Sequence, residues 1–170
     1  MDASLFRPVA ETWRPVSPAL TTRRRIVLVI PLVVLAVLLA AGAATATAVD
    51  AHVLVSVGLG ALAACAAAAA ATTWWWAERN RRSWGWAEAE DDLLVTSGVM
   101  FRRLVVVPYG RVQFVDVEGG PVERRLGIAR VSLHTASTET AAVVPGIPAD
   151  EARLLRDRLT ELGQARDGGV

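Results

Sequence analysis

Two histidines, one cysteine and a short acidic run are the side chains from which this chain could build a reactive or metal-binding centre. His52 and Cys65 lie in one apolar stretch and His134 stands far along the chain, so Cys and His supply no tetrahedral ligand set. Ser132 falls two residues before His134 on the same face of an alternating segment, but no acid is placed to orient the imidazole as a triad requires. Glu88, Glu90, Asp91 and Asp92 gather where the pattern predicts a polar turn, and they read as a solvated loop, with a weak cation or partner site as the alternative. Gly119 and Gly120 precede Pro121 and lack the Lys and Ser/Thr of a phosphate-binding loop. These residues point to no enzyme, no metal and no cofactor.

The arginines are the other candidates. All 18 basic residues are Arg against 17 acids, a formal charge of +1, which excludes a generic polyanion binder and makes nucleic acid an unexpected partner. Arg102 and Arg103 sit at an expected hairpin tip, with Arg111, Arg124 and Arg125 elsewhere, as candidate contacts to a partner or to anionic headgroups at about 1 kcal/mol each. A single cysteine excludes an intramolecular disulfide.

The elements that position these groups begin with a membrane anchor. Mean hydropathy is +0.37 and 53% of residues are hydrophobic, an excess concentrated between Ile26 and Trp76. Residues 26–49 are uncharged, and a helix of that length is about 36 Å long against a hydrocarbon core of about 30 Å. A second uncharged run, 51–76, follows Asp50 and ends in Trp74, Trp75 and Trp76, whose indoles suit the headgroup belt. One helix through both runs would be longer than any bilayer is thick, so a tight turn at residue 50 is expected, making a helical hairpin. Arg23, Arg24 and Arg25 precede the first span and Arg79, Arg81 and Arg82 follow the second, which places both ends in the cytoplasm under the positive-inside rule.

A cleaved signal peptide competes through Ala44-Thr45-Ala46, but the apolar run exceeds the usual h-region and 25 residues precede it. No acid or arginine lies at mid-membrane depth, which argues against a proton relay or ion pathway. Gly42 with Ala46, and Gly60 with Ala64, have the spacing that lets helices approach, a pattern expected by chance in so Ala-rich a stretch. The arm of residues 1–25 holds Pro8, Pro15 and Pro18 and no periodicity, and is expected to be largely disordered or interfacial, with Phe6, Trp13 and Leu20 on the leaflet.

From Trp84 the pattern turns to strands. Expected strands cover 84–89, 93–97, 103–107, 112–118, 130–134 and 138–144, six in all. The run Leu104-Val105-Val106-Val107 is apolar on both sides and predicts a central strand. Pro121 and Gly127 bracket a single helical turn, and Leu155, Leu159 and Leu162 mark a terminal amphipathic helix entered through Pro148, Asp150 and Glu151. The expected domain is 84–163, with a flexible tail at 164–170.

In that order the residues resemble a known family. Gly98-Val99-Met100-Phe101-Arg102-Arg103, Val107-Pro108-Tyr109 with Arg111, Gln113 and Val115, Gly120 to Gly127, and Pro145-Gly146-Ile147 before the helix are similar to the bacterial pleckstrin-homology (PH) domain of YdbS-like membrane proteins. The Pro15-Val16-Ser17-Pro18 and Arg23-Arg24-Arg25 entry is similar too. The resemblance implies a two-helix membrane hairpin in the bacterial cell membrane followed by a seven-stranded PH-like split barrel capped by the terminal helix. It also implies, as partner, another membrane protein with related domains or a second copy. The leading expectation is a protein-binding or scaffolding module that takes a segment by strand addition. Headgroup recognition is the alternative, and an NfeD-like protease-accessory protein with an OB barrel is a second, disfavoured by the terminal leucine helix.

Overall fold

The computed structural model describes residues 6–8, 12–49, 52–135 and 140–167. They divide into two compact units, Thr21–Glu78 and a second built from Met1–Leu20 together with Arg79–Val170.

The first unit is the helix pair. Helix α1, Ala19–Ala48, and helix α2, Val53–Arg82, have 30 residues each and hydropathies of 3.0 and 2.2 over their most apolar windows. At 1.5 Å per residue each is about 45 Å long, so the ends bearing the arginines extend past a hydrocarbon core of about 30 Å. Both helices outrun the expected spans, and the expected turn at residue 50 lies outside the described residues. Inside α1, Arg25–Val29 is wound as a π-helix just ahead of Pro31. Proline has no N–H for the carbonyl four residues back and its ring crowds that carbonyl, and the wider turn relieves both. Small side chains bury themselves on the helices: Ala46 on α1, and Ala63, Ala66, Ala70 and Ala77 on α2. A Cβ at Gly42 would stand 3.6 Å from Leu59, in ordinary contact, whereas Gly60 faces open space, so only the first of the two small-residue pairs has its glycine against another side chain. Leu28, Leu38, Leu54 and Val57 point outward, the surface that lipid covers.

The second unit is a barrel of two sheets. Strand β1 is Arg14–Pro15, β2 Gly85–Glu88, β3 Asp92–Ser97 and β4 Arg103–Pro108, antiparallel in that order in one sheet. Strands β5, Val112–Glu118, β6, Ile128–Thr135, and β7, Thr140–Pro148, form the other. A one-turn helix α3, Pro121–Arg125, links β5 to β6, and helix α4, Ala149–Asp167, closes the unit. Trp86, Leu93, Val95, Val107, Val131, Leu133, Val144 and Ile147 fill the space between the sheets, and Leu155 and Leu159 seal it from α4 with Leu162 packed beside them.

Three expectations change. The seventh strand comes from the arm: Arg14 and Pro15 pair with Trp86 and Gly85, while Val16 and Leu20 enter the core at 1% and 3% exposure. Leu20 is thus a core residue and does not lie on a leaflet. Strand β4 ends its sheet instead of running through the middle, since among the described residues it pairs with β3 alone, and its Val106, 48% exposed, faces outward between the inward Val105 and Val107. Helix α4 continues past Gly163 to Asp167, into the expected tail, and residues 168–170 lie outside the described residues.

Gly98 makes the β3–β4 turn. Its φ is +105°, and a Cβ there would stand 1.8 Å from the Phe101 carbonyl oxygen. Gly98→Ala is therefore expected to cost the barrel about 1–3 kcal/mol, the scale of one strained backbone position, read as a lower urea midpoint for the full chain in nanodiscs.

Candidate functional site

The interface anchors expected along the two helices meet across the pair. The Arg25 guanidinium stands 3.8 Å from the Trp74 ring centroid and that of Arg24 5.9 Å from Trp76. The Thr21 hydroxyl donates to a Glu78 carboxylate oxygen at 2.7 Å. Indole, guanidinium and carboxylate thus clamp the arginine-bearing end of the hairpin, where a headgroup layer accepts both apolar and charged groups. In the barrel unit the Arg81 guanidinium donates to the Val16 carbonyl at 3.2 Å, while Arg23, Arg79 and Arg82 also have partners within the chain. Trp75, 65% exposed, turns outward.

The acidic run is not one cluster. Glu88 pairs with Arg14 at 3.6 Å and with Arg158, and Arg14 reaches Glu151 of α4 at 3.0 Å. Glu90 and Asp91 stay at the β2–β3 turn, which is tied by Ala89 N–H to the Asp92 carbonyl and by the Tyr109 hydroxyl to the Ala89 carbonyl. Among the described residues no three His, Cys, Asp or Glu side chains are placed to share a metal ion.

The barrel arginines fall in three places. Arg102 and Arg103 sit at the exposed β3–β4 turn, and Arg111 lies beyond the far end of β4, about 20 Å away at the rise of a six-residue strand. Arg124 and Arg125 end α3, between strands of the other sheet. They are separate surfaces, not one site.

Two apolar surfaces escaped sequence reasoning. One is the outer edge of β4 with Val106; no described strand pairs there. The other is on β5, where Phe114, 53% exposed, stacks on His134 with centroids 4.3 Å apart and planes 9° from parallel. His134 Nε2 lies 3.3 Å from an Asp116 carboxylate oxygen. His134 is thus covered and partnered on its strand's outer face. The alternation of Phe114 and Asp116 opposite His134 was the available signal, but only the register Phe114↔His134 brings the rings together.

A curated relative, the UPF0699 transmembrane protein YdbS of Bacillus subtilis (strain 168), is 32% identical over 87 residues, 51% of this chain and 54% of the relative. The chain therefore matches about half the length of that relative. A crystal structure of a DUF1696 family protein with a pleckstrin-homology domain, from Shewanella loihica PV-4, is similar with a TM-score of 0.37 and 13% identity, over 47% of this chain and 70% of that one. The sequence model of the family described as bacterial PH domain matches residues 25–163, well over half of the chain. With seven antiparallel strands, a capping helix and two apolar helices in place among the described residues, the chain belongs to the bacterial PH domain family.

Proposed function

We propose that this protein is a non-catalytic docking module, in which the helix pair holds the PH-like barrel at the cytoplasmic face of the cell membrane and the β4 edge receives an extended segment of a partner. The observation that carries the reading is the outer side of β4, which pairs with no strand among the described residues, with Val106 exposed beside it. An open edge supplies main-chain donors and acceptors for an added strand, and a neighbouring apolar side chain gives it selectivity. The partner is another membrane protein with related domains or a second copy of this chain. The arginines at the ends of the hairpin support the cytoplasmic placement. The barrel adds that the two ends share one side of the bilayer, whichever it is, since segments from before and after the helix pair complete one sheet.

Photocrosslinking tests this in native membranes with the full chain carrying a photoreactive residue at Leu104. A discrete protein adduct is expected, reduced about tenfold by Val106→Lys, since a lysine on an edge strand blocks pairing. Adducts to lipid alone would reject docking and favour headgroup recognition.

A further inference from the structure

Met100 at 84% and Phe101 at 83% are the most exposed of the large apolar side chains among the described residues, and they are consecutive at the tip of the β3–β4 turn. Arg102 and Arg103 follow, both exposed and neither ion-paired among the described residues. Gly98, at φ +105°, brings the start of the turn against the Phe101 carbonyl.

The strand register states which end of the barrel this is. Ser97 pairs with Arg103, Thr96 with Gly85, and Gly85 with Pro15. The tip therefore leaves the sheet at the same end as both connections to the apolar helices, residues 16–18 leading into α1 and residues 83–84 arriving from α2. Arg7 is there as well, its Nη2 3.1 Å from where a Gly85 Cβ would stand. The opposite end of the same sheet carries Glu90, Asp91 and Asp92, about 20 Å away along six-residue β3. The tip end is basic and apolar and carries both connections to the apolar helices, whereas the other end mixes these acids with Arg111.

We propose that the β3–β4 tip inserts Met100 and Phe101 into the interfacial layer of the bilayer that the chain's own helices span, with Arg102 and Arg103 on the phosphates of anionic lipids. A consecutive apolar pair flanked by guanidinium groups matches the layering of acyl boundary beneath headgroup phosphate. This does not depend on β4 taking a protein segment: insertion uses the turn, and strand addition uses the edge.

The test uses the full chain, one copy per nanodisc, with Cys65→Ala and a fluorophore on either Phe101→Cys or, at the acidic turn, Glu90→Cys. Phosphatidylcholine discs with about a quarter phosphatidylglycerol carry spin-labelled lipid as the quencher. Quenching at position 101 is expected to exceed that at position 90 severalfold. Arg102→Gln with Arg103→Gln is expected to shift the ratio of inserted to free tip about thirtyfold towards free, and pure phosphatidylcholine in the same direction. Equal quenching at the two positions, or a position-101 signal indifferent to both arginines and lipid charge, overturns the proposal. Protection that appears only with two copies per disc also overturns it, assigning the tip to a protein interface.

Discussion

Residues 83–170 expressed alone are expected to melt at least about 12 °C below a version in which residues 12–20 are joined to residue 83 by a flexible linker. The arm places Val16 and Leu20 in the core at 1% and 3% exposure. Burying such side chains is worth about 1.5–3 kcal/mol each, so the pair contributes about 3–6 kcal/mol to a domain whose whole stability is about 5–15 kcal/mol. Each kcal/mol moves the midpoint of a domain this size by about 4–8 °C. Loss of the arm also strips a partner from the Gly146 carbonyl, which accepts from Ser17 N–H at 2.9 Å, and opens the β2 edge that Arg14 and Pro15 cover. Gly146, at φ +72°, leaves room for Leu20; a Cβ there would stand 2.8 Å from the Leu20 Cβ. Thermal melts of the two soluble versions decide it, and midpoints within a few degrees of each other would make the arm an ornament.

Trp86→Ala is the second large effect expected, about 3–5 kcal/mol off the barrel's stability. Trp86 is 1% exposed at the centre of the first sheet, with Arg14 5.0 Å above its ring centroid. Truncation removes the largest fully buried side chain and the platform on which Arg14 rests. Arg14→Ala alone is expected to cost about 1 kcal/mol and to cost less in the Trp86→Ala background, because a cation over an indole is worth about 0.5–2 kcal/mol. Urea titration of the full chain in nanodiscs, read by far-ultraviolet dichroism, gives all four corners of the cycle. Strict additivity would disprove the coupling, and a loss under about 1 kcal/mol for Trp86→Ala would disprove the core assignment.

The elements with a strong period were legible. Uninterrupted apolar runs announced both helices, alternation announced most strands of the barrel, and Leu155, Leu159 and Leu162 announced the face on which α4 packs. What escaped has no local signature. A two-residue strand containing Pro15 has no alternation to show, and its pairing with β2 lies 72 positions along the chain. Leu104-Val105-Val106-Val107 reads as central because hydrophobicity does not reveal whether both neighbouring strands exist. The stack of Phe114 on His134 depends on cross-strand register, and the division of the acidic run depends on Arg14 and Arg158 arriving from distant segments. For the candidate surfaces, residue types were visible and their company was not. Arg102 and Arg103 were recognisable, but the end of the sheet on which they sit follows from pairing alone.

The Thr21–Glu78 hydrogen bond bears on how the barrel is assembled. Strand β1 is synthesised long before its partner, and closing a flexible loop of about seventy residues would cost about 4 kcal/mol of chain entropy by the logarithmic law. A hairpin whose two ends are already held together pays most of that cost during insertion, before β2 leaves the ribosome. The membrane segment then serves the barrel as a template as well as a tether. An environment that lets α1 and α2 drift apart should loosen β1 first, though neither helix contributes a strand.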